Sequence, residues 1–258
     1  MNAPLPESIR QALESVTLDD KYTLDHGRAF MSGVQALVRL PMLQKKRDAL
    51  AGLNTGGFIS GYRGSPLGGF DLELWRARKH LETAGVKFTP GLNEDLGATM
   101  VWGTQQTNLF PGAKVDGVYS MWYGKGPGVD RCGDVFKHGN AAGTSQHGGV
   151  LALAGDDHSA ESSTVAHASD VALSDAMIPV LSSSGVQEII DFGLLGFAMS
   201  RHAGVWVGLK CVHDTVESSA VVEAGLDRMT PDIPAEPAPP PGGLSIRPSD
   251  DRVIQEER

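Results

Sequence analysis

The apolar positions of this chain fall into short, nearly unbroken runs separated by amphipathic stretches and by glycine. GVYSMWYG (117–124), GGVLALAGDD (148–157) and VWVGLKCV (205–212) are apolar almost throughout. Continuous runs of this kind indicate strands buried on both faces of a parallel sheet, whereas half-exposed strands would alternate. Between them, apolar residues recur at three- and four-residue spacing. The clearest case is GVQEIIDFGLLGFAMSRHAG (185–204), where Ile190, Leu194 and Phe197 predict a long helix. Ser184, three residues before Gln187, predicts a capping box at its start.

The same reading along the rest of the chain gives alternating elements. Residues 1–21 read as a polar N-terminal arm. Phe30, Val34, Leu37 and Val38 predict a helix over 27–40 that Pro41 closes. GGFISGY (around 57–63) predicts a strand, LELWRARKHLETAG (72–85) a helix and VKFTPG (86–91) a strand. A helix follows over EDLGATMVWGTQQ (94–106), and further helices after Asp130 and around 162–177, with PVLSS (179–183) a short strand and 205–212 the last one. Strand and helix in alternation predict a doubly wound α/β fold with a mostly parallel sheet and helices on both faces. No period of 20 to 50 residues recurs, against a solenoid or propeller.

After about residue 225 the character changes. Seven of the chain's 15 prolines lie between Pro231 and Pro248, which reads as a stiff, extended linker over 226–258 leading toward a domain not included here. The globular unit is expected over 22–225.

Composition excludes several classes. A net charge of −9 with 21% charged residues, and no basic stripe, is the wrong balance for nucleic acid. The two cysteines, Cys132 and Cys211, form no C-x-x-C pair, so neither a structural zinc nor an iron-sulfur cluster is indicated. No stretch approaches the roughly 18 apolar residues of a membrane span, and no leader peptide is recognisable. A cytoplasmic protein is expected. GxGxxG, GxxxxGK[ST] and GxSxG are all absent, against a dinucleotide, phosphate-loop or serine-hydrolase reading.

Four stretches carry candidate chemistry. GYRGSPLGG (61–69) sits where a buried strand meets a helix, the ligand-facing edge of a parallel sheet; an ordinary tight turn would read the same. In GLNEDLGATMVWGTQQ (91–106), Asn93 can cap a helix whose first turn holds Glu94 and Asp95, an arrangement that needs no function. MWYGKGPGVDRCGDVFKHGN (121–140) places Lys125, Arg131, Lys137 and His138 in a glycine-rich segment after a strand. AGDDHSAESST (154–164) ends a strand with Asp156, Asp157 and His158, whose adjacent side chains diverge and are poor metal ligands as a set. His147, His167, His202 and His213 read as ordinary polar residues.

Taken in order, GYRGSPLGG, NEDLGAT, AGDDHSAESST, PVLSSSGVQEIIDFG and VGLKCVHDTVESS resemble the N-terminal, pyrimidine-binding domain of indolepyruvate ferredoxin oxidoreductases, over 22–223. They resemble the corresponding domain of pyruvate:ferredoxin oxidoreductase more distantly. PPGGLSIR (240–247) is similar to the connection to the next domain in the long fused members. The resemblance implies thiamine diphosphate shared with a partner domain, oxidative decarboxylation of a 2-oxoacid, electron transfer through iron-sulfur clusters to ferredoxin, and acyl transfer to coenzyme A. It assigns Glu94 to the aminopyrimidine N1′, where a carboxyl shielded from water can share a proton. Asn93, Gly64, Ser65 and Pro66 are assigned to the cofactor, with Ser65 facing the reacting centre.

In the pyruvate enzyme an arginine for the substrate carboxylate follows the strand equivalent to LALAG. Here that place holds Asp156, Asp157 and His158. A larger aryl or branched 2-oxoacid, met by Arg63, Arg131 or His158, is therefore the expected substrate. Magnesium, the diphosphate end and the clusters are expected on pyrophosphate-binding and iron-sulfur domains or subunits of an oligomer. The alternative is a truncated remnant or assembly module that keeps the fold without turnover.

Overall fold

The computed structural model describes residues 5–161, 165–234 and 243–247. Two helices, α1 (Glu7–Ser15) and α2 (Asp20–Thr23), precede strand β1 (Arg28–Ser32) and the long helix α3 (Gly33–Leu50). There follow β2 (Gly56–Gly61), α4 (Gly68–Arg76), α5 (Arg78–Thr83), β3 (Val86–Phe88), α6 (Glu94–Gln105) and β4 (Val118–Lys125). Then come α7 (Gly126–Arg131), α8 (Gly133–Ala142), β5 (Val150–Asp156), α9 (Asp170–Asp175) and β6 (Val180–Ser182). The last elements are α10 (Val186–Ala203), β7 (Trp206–Val212), α11 (His213–Val216) and β8 (Ser219–Glu223). No described helix is long and apolar enough to cross a membrane.

Six strands form a wholly parallel sheet in the order β3-β2-β4-β5-β7-β6, flanked by helices on both faces. This is the α/β architecture that the continuous apolar runs require. Along β4, Tyr119, Met121 and Tyr123 enter the core under α3, α4 and α10, while Trp122 enters a second core under α6 and α8. All seven residues of β5 are buried. Neither strand has a polar side to show, because neither has a solvent face.

Several sequence expectations are corrected. The apolar residues of 27–40 belong to two elements. Phe30 lies on β1, 69% exposed, and α3 begins only at Gly33, capped by a Ser32–Gln35 capping box. Pro41 sits inside α3 and does not close it. Burial of Leu37, Val38, Leu40, Met42 and Leu43 around it offsets the roughly 3 kcal/mol that an internal proline costs a helix. Strand 205–212 is not the last: β8 follows and pairs antiparallel with β1 in a separate ribbon, from Arg28↔Glu223 to Ser32↔Ser219. At α10 the cap is Gly185, and Ser184 instead donates from its amide and hydroxyl to Glu188, both at 2.8 Å. Gln187 is drawn away to Glu223 and Asp191. The helix placed around 162–177 is α9 alone; residues 162–164 lie outside the described ones. The polar arm contains α1, and residues 243–247 pack back on the domain, where Ile246 donates to the Thr144 carbonyl at 3.0 Å.

Two cations, Arg39 buried and Arg201 half-buried, hold this frame. The Arg39 guanidinium, wholly buried, donates to the main-chain carbonyls of Lys21, Leu24 and Ala224, joining both ends of the domain to α3. Arg201 of α10 meets Asp48 of α3 bidentately at 2.6 and 2.8 Å, and also donates to the carbonyls of His147 and Gly148. Gln44 and Thr55 complete the Asp48 carboxylate. Arg201→Met leaves a buried carboxylate without its counter-ion, so urea unfolding should show a loss of about 3 kcal/mol. Arg228→Ala, which removes an exposed pair with Asp191, should cost less than about 1 kcal/mol.

Candidate functional site

From β2 the chain moves outward to β3, then returns past β2 to β4. The C-terminal ends of β2 and β4 therefore border a topological switch point, the crevice where open α/β sheets take their ligands. Three glycine contacts shape it. Gly91 donates to the Gly61 carbonyl at 2.8 Å. A Cβ on Gly97 would lie 2.8 Å from the Cα of Gly61, and one on Gly61 would overlap the Tyr123 carbonyl. Helix α6 can start this close to the sheet edge only because both residues lack side chains.

Asn93, in extended conformation, caps α6 by accepting from the Leu96 amide at 2.9 Å, as its residue type predicts. Glu94 comes next and is only 9% exposed. Its side chain lies across the first turn of α7. A Cβ at Gly128 would stand 2.6 Å from its Cγ and 2.9 Å from Oε1, and one at Gly124 would be 3.5 Å from Cγ. Trp122 Nε1 donates to the Glu94 main-chain carbonyl at 3.1 Å. Among the described residues the Glu94 carboxyl has no hydrogen-bond or ion-pair partner. Position at the switch point and low exposure mark Glu94 as the candidate acidic group of this edge.

The loop from Tyr62 to Leu67 lies beside it. Gly64 rests on the aliphatic chain of Lys125, the Ser65–Pro66 peptide is cis, and Pro66 and Leu67 are buried. Leu67 reaches across to Gly155 of β5. Gly64, Ser65, Pro66, Asn93 and Glu94 all belong to this edge of the sheet, and of the three proposed substrate groups Arg63 and Arg131 border it as well. Arg63 is exposed and lines, with Gly61, Tyr62, Asp71, Trp75, Pro90 and Gly91, a cleft of about 290 Å³ that shares its two glycines with the switch point. Asp71 there accepts from the Tyr123 hydroxyl at 2.6 Å; burial first, and then this bond, holds the Tyr123 phenol far above its ordinary range. Arg131 is bonded to Asp95 at 2.7 Å, which raises its pKa. His158 is exposed, its Nδ1 3.1 Å from the His167 carbonyl.

His167 is the residue whose position the sequence did not reveal. Its ring fills the place a Cβ on Gly126 would take, with Nε2 2.8 Å from Asp130 and Nδ1 3.5 Å from Asp156. Asp156 is wholly buried and accepts from the amide and hydroxyl of Ser169 at 2.9 and 2.6 Å. Asp157 accepts from the Glu161 amide at 3.0 Å. The D-D-H side chains thus go to three different partners, and no cluster of three metal-ligating residues occurs among the described residues. The bond to Asp130 spans 37 residues, and no local pattern encodes it.

No protein-family model matches the chain, and no curated protein matches it in sequence. Among solved structures, it is similar to a 2-oxoglutarate:ferredoxin oxidoreductase from Magnetococcus marinus, determined with 2-oxoglutarate, coenzyme A and succinyl-CoA bound. The TM-score is 0.58 at 19% identity, over 79% of this chain and 32% of that one. The likeness is one of fold, and the chain spans about a third of the length of that relative.

The glycine contact makes a sharp expectation. Gly97→Ala sets a Cβ against immovable backbone and should cost about 1–3 kcal/mol in denaturant unfolding. Gly103→Ala on the same helix, where a Cβ meets nothing within 4 Å, should be neutral or stabilise by up to about 1 kcal/mol.

Proposed function

We propose that this chain supplies the aminopyrimidine side of the active site of a thiamine-diphosphate-dependent 2-oxoacid:ferredoxin oxidoreductase of the indolepyruvate type, with residues 22–225 as the cofactor-binding domain. The observation that carries the reading is the Glu94 side chain, nearly buried at the switch point, with no hydrogen bond or ion pair from its carboxyl among the described residues and Arg131 in electrostatic reach of it. The ordered sequence blocks and the fold shared with a 2-oxoacid:ferredoxin oxidoreductase support it.

The residues suit an aminopyrimidine. That ring needs one carboxyl at its N1′, shielded enough to hold or share a proton, and flat backbone against its edges. Glu94 meets the first need, with Gly124 and Gly128 leaving its side chain room. Gly64 and the backbone around Gly61 and Gly91 meet the second. When bound, thiamine diphosphate supplies the carbon nucleophile for the 2-oxo group and the electron sink after loss of carbon dioxide.

The chain's own residues bind and orient. Asn93 fixes the first turn of α6, so that Glu94 follows it at a set angle. Glu94 holds the proton at its carboxyl oxygen and passes it to or takes it from the ring nitrogen. The loop 62–67 closes one side against water. Tyr62, Leu92 and Leu96 are exposed apolar residues on the same rim and form the face on which a pyrophosphate-binding domain docks, bringing magnesium and the diphosphate site. Iron-sulfur domains, ferredoxin and coenzyme A act through that larger cytoplasmic assembly.

Glu94→Gln preserves shape and removes the exchangeable acid. In material co-purified from native cells, thiamine diphosphate should be present and 2-oxoacid-dependent viologen reduction should fall at least about tenfold in the variant, with an unchanged melting temperature. Full activity in Glu94→Gln would remove the assignment. Gly128→Ala, which displaces the Glu94 side chain without touching its chemistry, should fold normally and lose cofactor affinity to a similar degree.

A further inference from the structure

We infer that Lys125 receives the carboxylate of the 2-oxoacid substrate, an inference that rests on the reading of the crevice just given. The starting observation is how the cations at the C-terminal edge of the sheet are engaged. Arg131 is held by Asp95 at 2.7 Å. Lys210 lies between Asp170 at 2.5 Å and Asp156 at 3.8 Å. His167 lies between Asp130 and Asp156, and His158 faces the His167 carbonyl. Arg63 and Lys125 remain, neither with an ion pair or hydrogen bond among the described residues.

These two are not equivalent. Arg63 is exposed, and its cleft already holds the Asp71 carboxylate, which would repel a second one. Lys125 is half-buried at the last position of β4. Its side chain runs beneath the loop, with Cβ, Cγ and Cδ at 3.2, 3.0 and 2.8 Å from where a Gly64 Cβ would be. A glycine at position 64 is what makes room for this stem. The methylenes are packed and the charged end lies beyond that contact, as in a lysine whose stem is buried and whose head is left accessible.

On this inference the place is the crevice. Lys125 directly follows Gly124, over which Glu94 packs, and successive strand residues face opposite ways, so Glu94 and the Lys125 stem stand at the end of β4 on its two faces. A single ammonium also attracts a carboxylate without locking its plane, as a bidentate guanidinium would. The carboxylate that is to leave as carbon dioxide stays free to turn.

The test uses the complete complex with its cofactor. Lys125→Met keeps the stem on Gly64 and removes only the charge. Its KM for phenylpyruvate and indolepyruvate should rise about tenfold or more, with kcat changed less than about threefold. Calorimetric affinity for 3-phenyllactate, which retains the carboxylate but cannot be decarboxylated, should fall by a similar factor. Affinity for its neutral amide should be unchanged, and Lys125→Arg should recover most of the loss. An active Lys125→Met enzyme with unaltered KM and phenyllactate affinity overturns the role of Lys125 and leaves the 2-oxoacid reading standing. Equal loss of phenyllactate and amide binding also overturns it, since the lysine then serves packing alone. A wild-type complex with neither thiamine diphosphate nor viologen reduction overturns the 2-oxoacid reading and this inference together.

Discussion

Backbone meets backbone where Gly97 of α6 faces Gly61 of β2, a contact in which a Cβ on Gly97 would come within 2.8 Å of a Cα. Nothing at either position can yield by rotating a side chain. The first turn of α6 is thereby brought against the sheet edge, and Glu94 lies in that turn. Gly61 is limited on its other side by the Tyr123 carbonyl of β4, so three elements share a single point of closest approach. The crevice takes its position from this contact. The acidic side chain, the loop 62–67 and the end of β4 follow from it.

The two edges of the sheet are built to different ends. At the edge where the strands begin, the Asp48 carboxylate accepts from Arg201, Gln44 and Thr55, and Arg201 also takes up two main-chain carbonyls. Partners removed from such a network leave buried charge, so it resists rearrangement. At the opposite edge, Glu94 and Lys125 are left without partners among the described residues, and Leu92 stands 86% exposed. A carboxylate bonded by three side chains at one edge, and charged side chains without a bond among the described residues at the other, set a fixed frame apart from the edge that carries the crevice. The exposed edge is also where sequence blocks resembling a known cofactor domain fall.

Parts of the site could be read locally. Asn93 as cap and Glu94 in the first turn follow from residue type and from where the apolar spacing begins, since a capping side chain reaches only three residues ahead. GYRGSPLGG could be placed at a strand end for the same reason. What those strings could not tell was which groups would be left without partners. Arg131 was one candidate for the substrate carboxylate and is bonded to Asp95, His158 was another and faces the His167 carbonyl, and Lys125 was one cation among several. Each outcome depends on contacts between elements: Asp95 on α6 with α7, His167 with Asp130, Gly64 with β4. The ring of His167 takes its place over Gly126 through such a contact.

By itself the sequence determined the class of fold and most of its elements. A strand buried on both faces must be apolar throughout, and a helix against a sheet must repeat near 3.6; both constraints act within a few residues. They fail where the deciding interaction is distant. Phe30 fits a helical spacing with Val34 and Leu37, yet belongs to β1 because β8, almost 200 residues later, pairs with it. Pro41 ends a helix in isolation, yet lies within α3 because the side chains around it are buried by β4 and α10. Ser184 has the residues of a capping box, yet Gln187 is taken by Glu223. Tertiary structure alone decided which polar groups were satisfied and which were left facing the crevice, because satisfaction is a property of pairs brought together by the fold and not of the positions along the chain.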